Sequence, residues 1–258
     1  MIALNRNKQK GFSLLELAIA LTLIAILLYG ATGSLNKIDD YDDYAQNRIF
    51  MNKVHDALLT YVQVNHFLPC PDSDGDGLEN RDAANPAWCD QVAGTLPYLD
   101  LGLSSTDVWG SPLYYAVNSD TDSADIIDPN KSASYFNRSG APAVGFDYDT
   151  PPFGSNNGTG NYTVCNERAL FCNGATPADE LSEIAAIAVV ISYGKNGAET
   201  WAGNPGGNAE VENTNGNNNI FWQGQGSDVQ GSNFDDQLIW LTGYEVKYSV
   251  IKSGAVLN

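Results

Sequence analysis

A single carboxylate, Glu16, stands inside an apolar run. Residues 12–31 read FSLLELAIALTLIAILLYGA, apolar or small apart from that one acid. As a helix the run would be roughly 30 Å long, about the thickness of one bilayer core. A carboxylate at the centre of a bilayer costs roughly 2.5–3.5 kcal/mol on insertion scales, so Glu16 there asks for a partner. Ahead of it, residues 1–11 read MIALNRNKQKG, with Arg6, Lys8 and Lys10 and no acid. Such a basic flank keeps the N-terminal end cytoplasmic and sends the rest across. A secretory signal peptide also begins basic, but its apolar stretch is shorter and ends in a small-residue cleavage site. Here the run is too long, and nothing like A-x-A follows it.

A second group of acids could hold a cation. Cys70-Pro71-Asp72-Ser73-Asp74-Gly75-Asp76-Gly77 puts carboxylates at positions 1, 3 and 5 of a loop and glycine at position 6, the opening of an EF-hand-like calcium loop. Leu78 would offer its carbonyl at position 7. Position 12 is Ala83 where a carboxylate is expected, with Asp82 adjacent and Glu79 or Asn80 as substitutes. Without calcium the stretch reads as a solvated Asp/Gly turn. The four cysteines, Cys70, Cys89, Cys165 and Cys172, all lie beyond the apolar run. An even number in a translocated domain reads as disulfides, and three pairings are possible. We expect the local one, Cys70–Cys89 and Cys165–Cys172. A four-cysteine zinc site is the alternative, and the absence of any C-x2-C pair speaks against it.

Composition narrows the rest. The chain has 258 residues, 43% hydrophobic and 17% charged, enough to bury a core. Thirteen Lys and Arg against 31 Asp and Glu give a formal charge of −18. That surface excludes a nucleic-acid partner and a polybasic attachment to anionic lipid. No G-x-S-x-G, H-E-x-x-H, Cys/His pair or phosphate loop with a lysine occurs, so no enzyme is expected. A membrane-anchored envelope enzyme using paired carboxylates is the remote alternative. His55 and His66 lack metal-ligand spacing and read as packing or solvent-facing residues.

These groups need elements to position them. Val54, Ala57, Leu58, Tyr61 and Val62 fall on one helical stripe, so the helix continues past the apolar run. Gly30, Gly33 and the acidic Asp39-Asp40-Tyr41-Asp42-Asp43 lie between the halves. A kink or loosened turn is expected at 30–36, with two helices joined by a loop as the alternative. From Phe67 the composition turns to Gly, Asn, Asp and Pro with short apolar runs. Residues 112–117, 184–193 and 238–251 read as strands. In the last, Val246, Tyr248 and Val250 alternate with Lys247, Ser249 and Ile251, predicting one buried face. Residues 203–233 read as a Gly/Asn/Gln-rich surface loop, Phe221 and Trp222 apart. The Asn-x-Ser/Thr matches at Asn137, Asn157 and Asn161 are expected by chance in an Asn-rich chain. The fold class is α+β: a long N-terminal helix, transmembrane in its first half, packed on an antiparallel sheet in a globular head.

Lys10-Gly11-Phe12-Ser13-Leu14-Leu15-Glu16 resembles the processing site of type IV prepilins and type II secretion pseudopilins. The resemblance implies cleavage after Gly11 by a membrane prepilin peptidase, which also N-methylates Phe12. It implies that Glu16 pairs with the Phe12 amine of a neighbouring subunit during assembly. The domains would then be a leader at 1–11, a transmembrane and polymerisation helix at 12–34, its amphipathic continuation at 35–66, and an extracytoplasmic head at 67–258. The implied partners are other pilin or pseudopilin subunits, the peptidase/methyltransferase and an inner-membrane assembly platform. The implied location is the bacterial inner membrane, single-pass, and then a filament. Leu68-Pro69 is similar to the dipeptide that ends the long helix in pilin-like proteins. Residues 107–115 (DVWGSPLYY), 190–197 (VISYGKNG) and 235–240 (DDQLIW) resemble, in order, three segments of the major pseudopilin. That resemblance implies a second calcium site at Asn196, Asp235 and Asp236, before the last strand. Removal of 11 residues leaves 247, more than a usual major subunit, with long inserts. The expectation is therefore a minor pilin, with a secretion pseudopilin as the alternative.

Overall fold

A computed structural model describes residues 14–65, 67–84, 86, 89–117, 162–169, 172–214, 219–224 and 234–254, with the side chains of 27–40, 185, 208 and 209 set aside. The whole of the expected leader at 1–11, with Phe12, His66 and the three Asn-x-Ser/Thr asparagines, lies outside these residues.

The elements in chain order are α1 (Leu14–Asn65), β1 (Ala93–Thr95), β2 (Tyr114–Val117), β3 (Tyr162–Cys165), β4 (Leu181–Ser192), α2 (Gly197–Trp201), α3 (Asn208–Thr214), β5 (Ile220–Trp222), β6 (Gln237–Thr242) and α4 (Gly243–Lys252). The chain divides into two compact units, Met1–Ala45 and Gln46–Asn258. Helical assignment runs unbroken through Gly30 and Gly33, so the two-helix alternative is not what is found. The helix ends at Asn65, just before Leu68-Pro69, where proline's missing N–H ends helical bonding.

In the first unit, residues 14–26 carry Leu14, Leu15, Leu17, Ile19, Leu21, Leu23, Ile24 and Ile26, all exposed. Among the described residues no helix is long and apolar enough to cross a membrane. The expected span contributes only residues 14–26 with described side chains, fewer than the roughly 20 that a crossing helix needs.

In the second unit a six-stranded sheet has the order β1-β2-β4-β3-β5, with β6 also paired to β4. β4 is central: its first half pairs with β3, its second half with β2 and β6, all antiparallel. β3 and β5 run parallel, so the sheet is mixed and not the wholly antiparallel one expected. The near-continuous apolar run of β4 follows from its position, since a strand covered on both faces alternates nothing with water. Ile187, Ala188 and Val190 join one core with Met51, Val54, Leu58 and Val62 of α1, Tyr115, Leu241 and α4's Val246 and Val250. Ala186, Val189 and Ile191 join the other, with Tyr162, Val164, Tyr193, Phe221, Phe234 and Leu238. The helical stripe of α1 is thus narrower than expected: Ala57 and Tyr61 sit at its margin.

Two further sequence expectations fail in this unit. The strand predicted to run to Ile251 stops at Thr242, and Gly243–Lys252 is helical. Thr242 caps it, its Oγ1 accepting from the Glu245 N–H at 3.2 Å. The apparent alternation was compatible with a helix too: Val246, Ser249 and Val250 face inward at helical spacing, while Tyr248 is exposed. The predicted loop at 203–233 instead contains α3 and β5. Both disulfides form as expected, Cys70–Cys89 and Cys165–Cys172.

Candidate functional site

Three places in the fold hold polar groups beyond what packing needs. The first is the start of α1. Glu16 lies in its first turn, flanked by exposed apolar side chains. A carboxylate there also suits the partial positive charge of a helix N-terminus.

The second is a buried polar hub on α1. Asn47 is fully buried in line with Met51, Val54, Leu58 and Val62. Its Nδ2 donates to Ser192 Oγ at 3.0 Å and to Gln237 Oε1 at 3.2 Å. Ser192 Oγ in turn donates to Asp107 Oδ2 at 2.7 Å. Asp107 Oδ1 accepts from the Trp109 and Ser111 N–H groups, closing the turn in which Gly110 takes a positive φ of 86°. Burial pushes the Asp107 carboxyl up, against the hydrogen bonds that hold it ionised. The three segments singled out at 107–115, 190–197 and 235–240 therefore converge on one asparagine of the long helix. Sequence reasoning missed Asn47. Its signal was a polar residue placed on the apolar stripe.

The third is a cluster of acids at the ends of β4 and β6. One oxygen each from Glu210, Asp235 and Asp236 lies within 4.8 Å of the others, and all three side chains are buried. Each carboxylate has one oxygen engaged by neutral N–H groups. Asp235 Oδ2 accepts from the Lys195 N–H at 2.7 Å, and Asp236 Oδ2 from Asn213 Nδ2 at 2.7 Å. Glu210 Oε2 accepts from Asn196 Nδ2 at 2.8 Å and from the Gly206 N–H. The other oxygens, Asp235 Oδ1, Asp236 Oδ1 and Glu210 Oε1, are buried with no N–H or hydroxyl donor, as is Asn196 Oδ1, and the Asp235 and Glu210 carboxyls lie within hydrogen-bond reach of each other. Burial first, then the Glu210 charge, pushes Asp235 up to about 7, and burial holds Asp236 well above the usual carboxylate range. Gly194, at φ +62°, passes so close that a Cβ would stand 2.6 Å from Asp235 Cγ.

The structure brings together the expected Asp235, Asp236 and Asn196. It adds Glu210, which no motif in the sequence marked. Orphaned buried carboxylate oxygens are costly, and a hard divalent cation with oxygen ligands relieves that cost. On that observation the residues fit calcium.

The loop at 72–78 is built differently. One oxygen each of Asp72, Asp74 and Asp76 again lies within 4.8 Å of the others, but Asp74 and Asp76 are exposed. Asp72 is buried and satisfied by the protein itself: Oδ1 accepts from the Gly75 N–H at 2.6 Å, Oδ2 from the Gly77 N–H at 2.8 Å and Thr95 Oγ1 at 3.1 Å. Glu79, a candidate for the missing twelfth ligand, is engaged by the Cys70 N–H and by Arg81. Leu78 donates its N–H to Asp76 Oδ1 at 2.8 Å.

Residues 6–32 match the family of the prokaryotic N-terminal methylation motif. The chain therefore carries the signature of type IV pilins and pseudopilins. No curated protein and no solved structure matches it.

Proposed function

We propose that the protein is a structural subunit, a minor pilin, of a type IV pilus-like filament. It is stored as a single-pass inner-membrane precursor with its N-terminus in the cytoplasm, cut after Gly11 by the prepilin peptidase and methylated at Phe12. It enters the filament from the assembly platform through residues 12–34. The single observation that carries this reading is the methylation motif at 6–32, with Glu16 as the one acid of the apolar run 12–31. A carboxylate in lipid and a terminal amine in lipid are each costly alone, and pairing relieves both. The pair would set register between subunits more than add net stability.

The test is Glu16→Ala. Membrane insertion and leader cleavage stay at wild-type levels, and incorporation into sheared fibres falls at least about tenfold, the loss expected when about 1.4 kcal/mol of docking energy is removed. Normal incorporation, or a mature chain that still begins at Met1, overturns the reading.

A second reading, a type II secretion pseudopilin, is favoured by the convergence of the 107–115, 190–197 and 235–240 segments at the Asn47 hub and the acid cluster. Deletion separates the two. A pilin's loss removes surface fibres, and a pseudopilin's loss retains exported enzymes in the periplasm.

In either role we place calcium at Glu210, Asp235 and Asp236, supported by their buried, unpartnered oxygens. The ion would supply positive charge that joins the segment after β4, α3 and the segment before β6. At about 100-fold over its dissociation constant, calcium would add about 2.7 kcal/mol, raising Tm by roughly 5–10 °C for a domain of this size. The 72–78 loop, where one oxygen each of Asp72, Asp74 and Asp76 also lies within 4.8 Å of the others, stands as the second candidate, its Asp72 already held by the loop's own N–H groups.

A further inference from the structure

α3 lies between α2 and β5, and two of its residues face inward together. Glu210 and Asn213 are both fully buried, at i and i+3 on one face, while Val211 on the other side is exposed. Glu210 enters the acid cluster. Asn213 reaches the edge strand β5: its Oδ1 accepts from the Trp222 N–H at 2.7 Å and its Nδ2 donates to the Trp222 carbonyl at 2.9 Å. The same Nδ2 donates to Asp236 Oδ2 at 2.7 Å. On its other side β5 pairs with β3, where the Thr163 N–H donates to the Asn219 carbonyl and the Gln223 N–H to the Cys165 carbonyl, both at 2.9 Å. Residues 219 and 223 therefore face β3, and by strand alternation Trp222 presents its backbone outward. An amide side chain that takes both the N–H and the carbonyl of that residue does what another strand would do. It caps the open edge of the sheet.

We infer that α3 is a clip that couples cation binding to closure of the sheet edge: an ion held by Glu210, Asp235 and Asp236 fixes α3, and Asn213, one turn along, then covers Trp222 of β5. This rests on the calcium reading of the same cluster. Without the ion, three buried acids face one another, and at Glu210 α3 is held only by Asn196 Nδ2 and the Gly206 N–H against that repulsion. With α3 released, the outward N–H and carbonyl of Trp222 are bare, and the edge is open to pairing with another strand. Asn213 is a positioning residue here, acting on β5 and on Asp236 together.

The experiment is hydrogen–deuterium exchange on the full chain in detergent micelles, with millimolar calcium or with a chelator, beside a calcium titration of the same sample. The expected result is exchange slowed at least tenfold by calcium in Asn208–Thr214 and Ile220–Trp222, with little change in β4. In Asn213→Ala, compared at calcium concentrations that its own titration shows to be saturating, protection of the Trp222 amide is lost while that of α3 remains. Calcium that binds without slowing exchange in α3 and β5 overturns the clip and leaves the metal site standing. Titration that detects no calcium binding overturns the metal site, and the clip with it. The wild-type comparison needs no variant, so a misfolded Asn213→Ala does not blunt the test.

Discussion

His55 donates from Nε2 to Glu245 Oε1 at 2.9 Å, joining α1 to α4, and its Nδ1 lies 3.8 Å from Asp56. The Glu245 hydrogen bond holds the His55 pKa above its usual 6.5 against the opposing effect of burial. The same bond holds Glu245 below its usual 4.5. The sign follows from which state binds protons. The histidine's contribution is fully present below 6.5 and fades as pH rises through its folded pKa. The carboxylate's is present above 4.5 and fades as pH falls through its own. The pair therefore stabilises most between those values. His55→Gln should cost about 1 kcal/mol near pH 5.5, modest because Glu245 is partly exposed. At an alkaline pH above its raised folded pKa the cost should shrink, as the histidine's charge is lost in both states. Urea melts at the two pH values measure it, and an equal cost at both would count against the pair. At the same scale, Gly194→Ala and Gly203→Ala make a matched test. Both glycines have positive φ, but only at Gly194 would a Cβ meet Asp235. Each should cost about 1–3 kcal/mol from backbone strain. Gly194→Ala should also abolish the calcium-induced rise in Tm, and Gly203→Ala should leave it intact.

α4 shows how an element can be misread from an accurate pattern. Residues 246–251 alternate as a strand would, yet Thr242-Gly243-Tyr244-Glu245 just ahead is the S/T-x-x-E pattern of a helix start. That cap settles the competition between two periods over a stretch too short for periodicity to decide alone. The two readings differ at Tyr248, which a strand would bury beside Val246 and Val250 and the helix leaves exposed. Tyr248→Asp should therefore change stability by no more than about 0.5 kcal/mol. Val250→Asp, placing a charge in the core against α1, should cost more than about 4 kcal/mol and show as loss of soluble, disulfide-bonded protein. α3 and β5 were illegible for another reason. α3 (NAEVENT) offers only Ala209 and Val211 as apolar residues and β5 (IFW) is apolar but three residues long, and what holds them is tertiary: Asn213 on Trp222 and Glu210 in the acid cluster. Local pattern carries no trace of a contact made across 23 residues, as between Asn213 and Asp236. β2 and β4 were legible because apolar, β-branched and aromatic residues concentrate there between turn residues.

Over the whole chain, the division at Ala45 and Gln46 falls inside one continuous helix. Before it, the side chains of residues 14–26 are exposed and, apart from Glu16 and Thr22, apolar. After it the same helix supplies Met51, Val54, Leu58 and Val62 to the sheet's core. The sequence showed this change of role, since an all-round apolar run gives way to a one-sided stripe. It did not show that the stripe belongs to the head as fully as any strand. At roughly 1.5–3 kcal/mol for each buried side chain, those four residues represent about 6–12 kcal/mol of burial. That equals most of the 5–15 kcal/mol by which a domain of ordinary stability exceeds its unfolded state. A chain beginning at Gln46, exported to an oxidising compartment, should hold both disulfides and melt in one cooperative transition. A chain beginning at Phe67 should not, although it retains all four cysteines and every strand. Near-ultraviolet circular dichroism and calorimetry on the two distinguish them. A cooperative melt from the shorter chain would mean that the sheet closes its own core, and that the long helix is only a stalk.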